Sequence, residues 1–456
     1  THFFNRNSDL SLDTAEGVTR ETVDLEKSLK EEDSSPGKAF RLTSLEFLKP
    51  AGKQPVIILA VAIPQASLVD VMVAGFIIEE KKEELIPGEV PWGRNAGKSK
   101  DSQTEKVTGE LTVWSGFFAG GILRLEIALP FELTDIPGLE IRARQRVYQL
   151  VPIKLVGGMG RGEGQFFLPK GGFIDSSGNV FIADSGNDRV QFFDKRWKCR
   201  GMFGEFGWSF EEDTRFAGGQ FNNPLSVCVE RYVYVVDSDN YRVCRYDREG
   251  NFIDSFGDEG SGEGQFLETG GVAKDFDNNI FVSDTGNDRI QKFDSAGNFR
   301  KEIGFFGWGE GQLNAPGDVE IGVNDDIVVL DSGNGRVQIF NKYGSFIRAL
   351  GSKGQGAGEL KEPHGLDLVP EIGVLVADTG NDRIQLLSFH GGCLISFGSR
   401  GNGLGEFKEP WDVAVGPESD MVVVVETGNH RLQVLKLEER VDTVSRLLEA
   451  DDSSTP

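Results

Sequence analysis

One eight-residue stretch, Asp284-Thr285-Gly286-Asn287-Asp288-Arg289-Ile290-Gln291, recurs in recognisable form six times, starting at Asp184, Asp237, Asp284, Asp331, Asp378 and Glu426. Successive copies begin about 47 residues apart, the first interval being about six longer, and a period in that range means blades or solenoid units. Within one unit, residues 266–304, four short β-prone runs are divided by Asx and Gly turns, the pattern of a four-stranded antiparallel sheet. Such a sheet cannot bury both faces alone. Packing it radially against copies of itself buries both and leaves only short edges, which is a β-propeller.

The signature Asp-(Ser/Thr)-Gly-Asn-x-Arg-(Val/Ile/Leu)-Gln, preceded by Pro-x-(Gly/Asp)-(Val/Leu) and followed by Phe-Gly, resembles the NHL repeat over residues 151–437. The resemblance implies a six-bladed propeller, with the domain placed at 150–437. Departures are Asp239 for the Gly and Cys244 for the Gln in the second copy, and Glu426 for the Asp in the sixth. After the sixth signature the chain supplies a third strand at 432–437 and no fourth. Residues 152–157 match 346–351 in character, so the segment ahead of the first blade is expected to close the ring as the outer strand of the last. Leu437, Val441, Val444, Leu447 and Leu448 then recur at helical spacing, which predicts a short amphipathic helix and a frayed tail over 438–456.

Ahead of the repeats, runs rich in Val, Ile, Leu and Phe at 40–48, 56–63, 68–78, 107–114, 122–129 and 139–150 are separated by Pro and Gly turns. Leu123, Leu125, Ile127 and Leu129 alternate with Arg124, Glu126 and Ala128, the period of a half-buried strand. They predict a small β-sandwich-like domain over 38–149, interrupted at 81–105 by a charged, Pro/Gly-rich loop expected to be mobile. Residues 1–37 carry too little apolar surface to offset the cost of ordering and read as a flexible acidic arm. The class is all-β.

Composition narrows the function classes. Lys+Arg 48 against Asp+Glu 72 gives a formal charge of −24, which argues against binding the phosphate backbone of a nucleic acid. The longest apolar run, 56–63, is too short to span a bilayer. Four dispersed cysteines without a CxxC pair, and no Asn-x-Ser/Thr acceptor, favour a reducing, intracellular setting; the opening Thr1 allows for processing and leaves an extracellular one open.

The signature residues are expected to be structural. Asp184, Asp237, Asp284, Asp331, Asp378 and Glu426 can accept backbone N–H groups in the turn, with Gly186 and its equivalents supplying positive φ. Arg189, Arg242, Arg289, Arg336, Arg383 and Arg431 can pair with carboxylates through their planar forks and span neighbouring turns. The positions that differ between copies carry the functional expectation. Before each Arg stand Asp188, Tyr241, Asp288, Gly335, Asp382 and His430; after each Pro equivalent stand Lys170, Leu225, Gly270, Gly317, His364 and Trp411, followed in two blades by Asp318 and Asp412. By the family's layout both sets flank the mouth of the central channel. An aromatic and acidic mouth suits a basic or amphipathic peptide.

The expected function is therefore a non-enzymatic protein-interaction or assembly scaffold, with a structural subunit of a larger assembly as an alternative. The order of domains is similar to the filamin-like-domain-plus-propeller part of TRIM-NHL proteins, but no RING or B-box cysteine pattern is present, so ligase function does not carry over. RNA binding, which some NHL propellers perform through a basic mouth, is disfavoured by the acidic positions here. Some six-bladed propellers are Ca²⁺- or Zn²⁺-dependent lyases or hydrolases, and this is the enzymatic alternative. Zinc chemistry requires converging histidines, and only His364 and His430 are expected near the mouth; Asp318 and Asp412 are the candidates for holding Ca²⁺, and no other cofactor is implied.

Overall fold

A computed structural model describes residues 18–23, 41–50, 56–63, 65, 67–79, 105–118, 121–128, 138–208 and 219–449. They form two compact units, Tyr148–Glu439 and the remainder on either side of it. The expected loop at 81–105 lies almost wholly outside the described residues, as do the tail 451–456 and the greater part of the arm 1–37.

The second unit is the propeller. Its first blade runs from Gly172–Ile174 at the centre through Val180–Asp184 and Arg189–Phe193 to Cys199–Phe203 at the rim, each strand antiparallel to its neighbour. Five further blades start at inner strands Pro224–Val229, Thr269–Lys274, Pro316–Ile321, Leu366–Val369 and Pro410–Val415, and neighbouring inner strands lie side by side around the ring. The sixth blade takes its outer strand from Gly138–Val156, as the phase of the repeats predicts. Its side chains confirm the junction: the Tyr148 hydroxyl donates to Glu439 Oε1 at 3.0 Å, and Gln149 Nε2 to Glu438 Oε2 at 3.0 Å.

Second strands are buried on both faces because a blade lies against each. Val180 and Ile182 pack with Ala414, Val423 and Val425 of the sixth blade, while Phe181 packs with Val227 and Val235 of the second. Between blades, the connecting loop folds back on itself through a short parallel bridge and buries one anchor: Phe166, Phe221, Phe266, Leu313, Leu360 or Phe407, each with no exposed surface.

The signature closes each blade's corner. In the first blade, Asp184 Oδ2 lies 2.8 Å from Arg189 Nε, and Oδ1 accepts the Phe167 N–H at 2.7 Å. Asn187 Nδ2 and Gln191 Nε2 donate to the same carboxylate at 2.9 and 3.1 Å. Arg189 Nη2 then reaches the Gly162 and Gln165 carbonyls at 2.9 and 3.0 Å, so it ties the blade to the loop that enters it. The pair repeats in all six blades at 2.7 to 2.8 Å, with every carboxylate wholly buried. Glu426 makes the same contact from a longer side chain. In the second blade Cys244 replaces the Gln, and its Sγ stands 3.9 Å from Asp237 Oδ2.

Two expectations about this turn change. The left-handed residue is not Gly186 or its equivalents but the one before each Arg, with φ of 51° at Asp188, 54° at Tyr241, 56° at Asp288, 64° at Gly335, 51° at Asp382 and 52° at His430. A single 3-10 turn, Ser185–Asn187 in the first blade, uses up the intervening residues, so the chain reverses only on leaving it. Gly186 is required by crowding: a Cβ there would fall against the Phe167 carbonyl, which accepts the Gly186 N–H at 2.8 Å. The Ser/Thr of the signature also has a role that the sequence reading missed. In five blades its hydroxyl donates to the carbonyl at the Pro position of the next blade: Ser185 to Pro224 at 2.5 Å, Ser238 to Thr269 at 3.2 Å, Thr285 to Pro316 at 2.8 Å, Thr379 to Pro410 at 2.6 Å and Thr427 to Pro169 at 2.6 Å; the Ser332 hydroxyl of the fourth makes no such bond among the described residues.

In the first unit, β1 (Val18–Val23), β2 (Arg41–Pro50), β3 (Val56–Ile63) and β6 (Gly121–Ala128) form one sheet in the order β1-β2-β3-β6. A second joins β5 (Glu105–Phe118) to β4 (Ser67–Glu79) and β4 to β7 (Gly138–Val156). Strands thus occupy all six predicted runs. The arm is corrected at 18–23, where β-branched Val18, Thr19, Thr22 and Val23 pair with the edge of β2. The predicted C-terminal helix is corrected too: the last strand runs Arg431–Glu449 without a break. Beside β7 its backbone donors and acceptors are already in ladder position, and Val441, Thr443 and Val444 favour extension. Helical spacing of apolar residues did not outweigh that ladder.

Arg189→Ala leaves the Asp184 carboxylate buried without its cation and is expected to lower the unfolding free energy by about 3–5 kcal/mol. Thr427→Val, which removes one neutral hydrogen bond, costs about 0.5–1.5 kcal/mol. Urea unfolding of both variants checks the ranking, and equal losses would deny the corner pair its special place.

Candidate functional site

The residue after each Pro equivalent stands at the start of the inner strand or just ahead of it, which sets six positions around one end of the channel. Lys170, Leu225, His364 and Trp411 line a cavity of about 350 Å³ there, together with Gly270 and Gly317. The ring is lopsided. On one side the His364 and Trp411 rings lie 3.8 Å apart at 32°, and the Lys170 ammonium sits 4.7 Å from the Trp411 ring centre. Lys170 Nζ also donates to Asn223 Oδ1 at 3.1 Å, and Asn223 Nδ2 to Asp239 Oδ1 at 3.1 Å. On the other side two glycines leave bare backbone, bordered by Glu268, Thr269 and Thr285.

One residue deeper, the ring reads Gly171, Ser226, Gly271, Asp318, Gly365, Asp412, alternating glycine with a side chain. Each side chain reaches across the next blade's glycine to the N–H that follows it. Ser226 Oγ accepts from Val272 at 3.3 Å, Asp318 Oδ2 from Leu366 at 2.9 Å, and Asp412 Oδ2 from Gly172 at 2.8 Å. The glycines are obligatory, because a Cβ on Gly271 or Gly365 would fall on the carboxylate oxygen of Asp318 or Asp412. Deeper still stand Glu320 and Asp367, and Asp367 Oδ2 accepts the Val415 N–H at 2.7 Å.

Burial pushes the Asp318 and Asp367 carboxyls up to about 7, more than the backbone N–H groups they accept bring them down. Glu320 and Asp412 are raised well above their ordinary values, first by burial and then by the other channel carboxylates. Burial, with the Lys170 charge behind it, lowers His364 to about 4, so its ring is neutral at physiological pH. The Nδ1 atom of that ring is buried and has no hydrogen-bond partner among the described residues. The mouth is therefore an acidic well with a rigid aromatic wall.

The structure divides the predicted site residues into two groups. Lys170, Leu225, Asp318, His364, Trp411 and Asp412 meet at the cavity. Asp188, Tyr241, Asp288, Asp382 and His430 do not line it; their left-handed backbone turns them toward the next blade. Asp188 Oδ1 accepts the Asn223 N–H at 3.1 Å, Asp288 Oδ1 that of Ala315 at 2.8 Å, and Asp382 Oδ1 that of Glu409 at 2.9 Å. His430 Nδ1 accepts the Leu168 N–H at 3.0 Å and its ring stacks on Phe167. Tyr241 packs in the core between the second and third blades. These residues bridge neighbouring blades. Asp239, Glu268 and Thr269 were missed as cavity residues; the aligned repeats point to the first, where Asp replaces the signature Gly.

Among the described residues no three or more His, Cys, Asp or Glu side chains are grouped to hold a metal ion, and none of their helices is long and apolar enough to cross a membrane. The two oxygens of Asp318, and those of Asp412, each accept a backbone N–H already.

Comparisons with known proteins bear on the fold. The family model described as a 6-bladed beta-propeller matches residues 311–398, and that of the NHL repeat matches residues 407–435. Protein brain tumor of Drosophila melanogaster is 37% identical over 125 residues, a stretch covering 26% of this chain and 11% of that protein. Among solved structures, a protein of unknown function from Bacteroides thetaiotaomicron is similar with a TM-score of 0.48 at 12% identity, over 89% of this chain and 99% of that one. A streptogramin B lyase is similar with a TM-score of 0.44 at 12% identity, over 64% of this chain and 98% of that one. Similarity that low says nothing about chemistry. Six signature corners on six blades, with the outer strand of the sixth supplied from ahead of the first, make a six-bladed β-propeller, and the NHL-repeat model matches it over residues 407–435.

Proposed function

We propose that the channel mouth is a protein-interaction platform that takes a basic side chain of a peptide segment into its acidic well. The observation that carries this reading is the charge balance of the cavity. Asp239, Glu268, Asp318 and Asp412 face it, against Lys170 as the one lining cation among the described residues, and that lysine is already engaged by Trp411 and Asn223. Buried carboxylates that resist ionisation gain most from an incoming cation, because it supplies the charge that solvent would otherwise provide. The aromatic wall is held by its own stacking, so little ordering is needed on binding.

The same charge pattern disfavours a nucleic-acid ligand, whose phosphates would meet carboxylates. It also gives no support to a metal-dependent reading, since His430 bridges blades and His364 is the one histidine that lines the cavity among the described residues.

Fluorescence polarisation of a labelled decapeptide containing Lys and Arg tests this directly. The full chain is expected to bind it, and to bind neither the Glu-for-Lys counterpart nor single-stranded RNA at low salt. Glu268→Gln, at an exposed rim residue, and Trp411→Ala are each expected to weaken binding by roughly tenfold, about 1.4 kcal/mol. Preference for the acidic peptide or for RNA would reject the reading.

A pH series gives a second check. Asp318 and Asp367 titrate at about 7, so the basic peptide should bind more tightly as pH rises from 5.5 to 8, by at most about tenfold per pH unit per proton released. Folding stability moves the other way. A carboxyl whose folded value is raised contributes stability that is fully present below its unfolded value and is lost as pH rises through about 7. Wild type should therefore lose, between pH 5 and 8, part of its stability advantage over Asp318→Asn, as read by thermal unfolding; a constant gap would remove Asp318 from the account.

A further inference from the structure

The six blades are six versions of one corner, so each serves as a control for the others. In the third blade the Nη1 atom of Arg289, left over after the corner pair is made, meets Glu302 Oε2 at 2.9 Å. Glu302 stands on the outer strand opposite Gln291. The first blade has Met202 at that position, with its sulfur 3.2 Å from Arg189 Nη1. In the fourth blade the position opposite Gln338 is Ala349. Arg336 Nε is bonded to Asp331 at 2.7 Å and Nη2 to the Gly309 and Gln312 carbonyls at 2.6 and 3.0 Å, while Nη1 makes no hydrogen bond among the described residues. Where Met202 and Glu302 reach the corner arginine of the first and third blades, the fourth has a cavity of about 540 Å³, lined by Arg336, Ala349, Ser352, Lys353, Asn334 and Trp308.

Two further features mark this cavity out. Trp308 forms one wall and is 71% exposed, held edge-on to Phe306 with ring centres 5.2 Å apart. Lys353 adds a second cation, its Nζ 3.2 Å from the Gly333 carbonyl at the cavity edge. The second blade repeats the aromatic pair as Phe206 and Trp208, but it carries Asp258 and Glu259 where the fourth has Ser352 and Lys353, and these would repel an anion.

We propose that the rim cavity of the fourth blade binds a carboxylate of a partner peptide, with Arg336 Nη1 receiving it as Arg289 receives Glu302 and with Trp308 covering an adjacent apolar side chain. Ala349 makes the room, and Lys353 adds charge complementarity in a chain that is acidic overall. This site is separate from the channel mouth and selects the opposite charge.

The test uses the full chain and three labelled hexapeptides: Leu-Glu-Leu at the centre with both ends blocked, its Gln counterpart with both ends blocked, and that Gln counterpart with a free C-terminus. The Glu probe is expected to bind, with the blocked Gln probe weaker by roughly tenfold or more. Binding of the third probe would show that a chain end serves as the carboxylate, and its failure that a side chain is required; both agree with the site. Ala349→Glu supplies internally what the third blade has, and it should abolish binding with the melting temperature unchanged or raised. Trp308→Ala, at a surface position, should weaken binding several-fold without unfolding, while Glu268→Gln at the channel mouth should leave it unaltered. Equal binding of the Glu and blocked Gln probes, full binding by Ala349→Glu, or no binding of any probe at millimolar concentration overturns the proposal.

Discussion

A carboxylate with no exposed surface has lost its water and must recover the whole of that solvation from the protein. At each blade corner Asp184 and its counterparts recover it from a guanidinium, an amide side chain and a backbone N–H, all supplied by residues within or just ahead of the same repeat. The arrangement is costly to break, because any one partner removed leaves the charge stranded. It also joins three successive segments of the chain: the loop arriving from the previous blade, the second strand and the third strand. Everything else in the ring is built outward from that joint. In the first blade the Ser185 hydroxyl and the left-handed Asp188 three residues on carry the connection to the next blade.

The legible part of this fold was the part that repeats. Six copies of one signature gave blade number, strand order and the borrowed closing strand, because each depends on spacing along the chain. Two kinds of information were less visible. The first is handedness at a single residue: Asp188 and its equivalents look like variable surface positions, and only the 3-10 turn before them reveals that they face the neighbouring blade. The second is competition between local periodicity and an available ladder. Residues 437–448 carry a helical pattern, yet they continue the strand they already belong to. For the candidate site, the residues after each Pro could be aligned and were placed at the cavity. Those before each Arg were aligned equally well and were not. Alignment fixes equivalence between blades; it does not tell which way a side chain points.

The channel mouth is asymmetric although the scaffold is nearly sixfold. Bulk gathers on the fifth, sixth and first blades in His364, Trp411 and Lys170, while the third and fourth contribute Gly270 and Gly317. Deeper in, the charge is carried by the fourth, fifth and sixth blades through Asp318, Glu320, Asp367 and Asp412. A regular frame with irregular lining separates two demands that often conflict. The corners hold the ring, so the lining residues are free to differ, and the carboxyls raised by burial are a cost that the frame carries.

The alternation of glycine and side chain in the channel has a consequence for how such a ring can change. Each of Ser226, Asp318 and Asp412 leans over a glycine of the following blade, and no two such side chains fit next to each other. The pattern closes only on an even number of units. Losing or duplicating a single repeat would bring two bulky neighbours or two glycines together at the seam, whereas moving repeats in pairs preserves the phase. The steric unit of this channel lining is thus a pair of blades, one bearing the glycine and the other the side chain that crosses it.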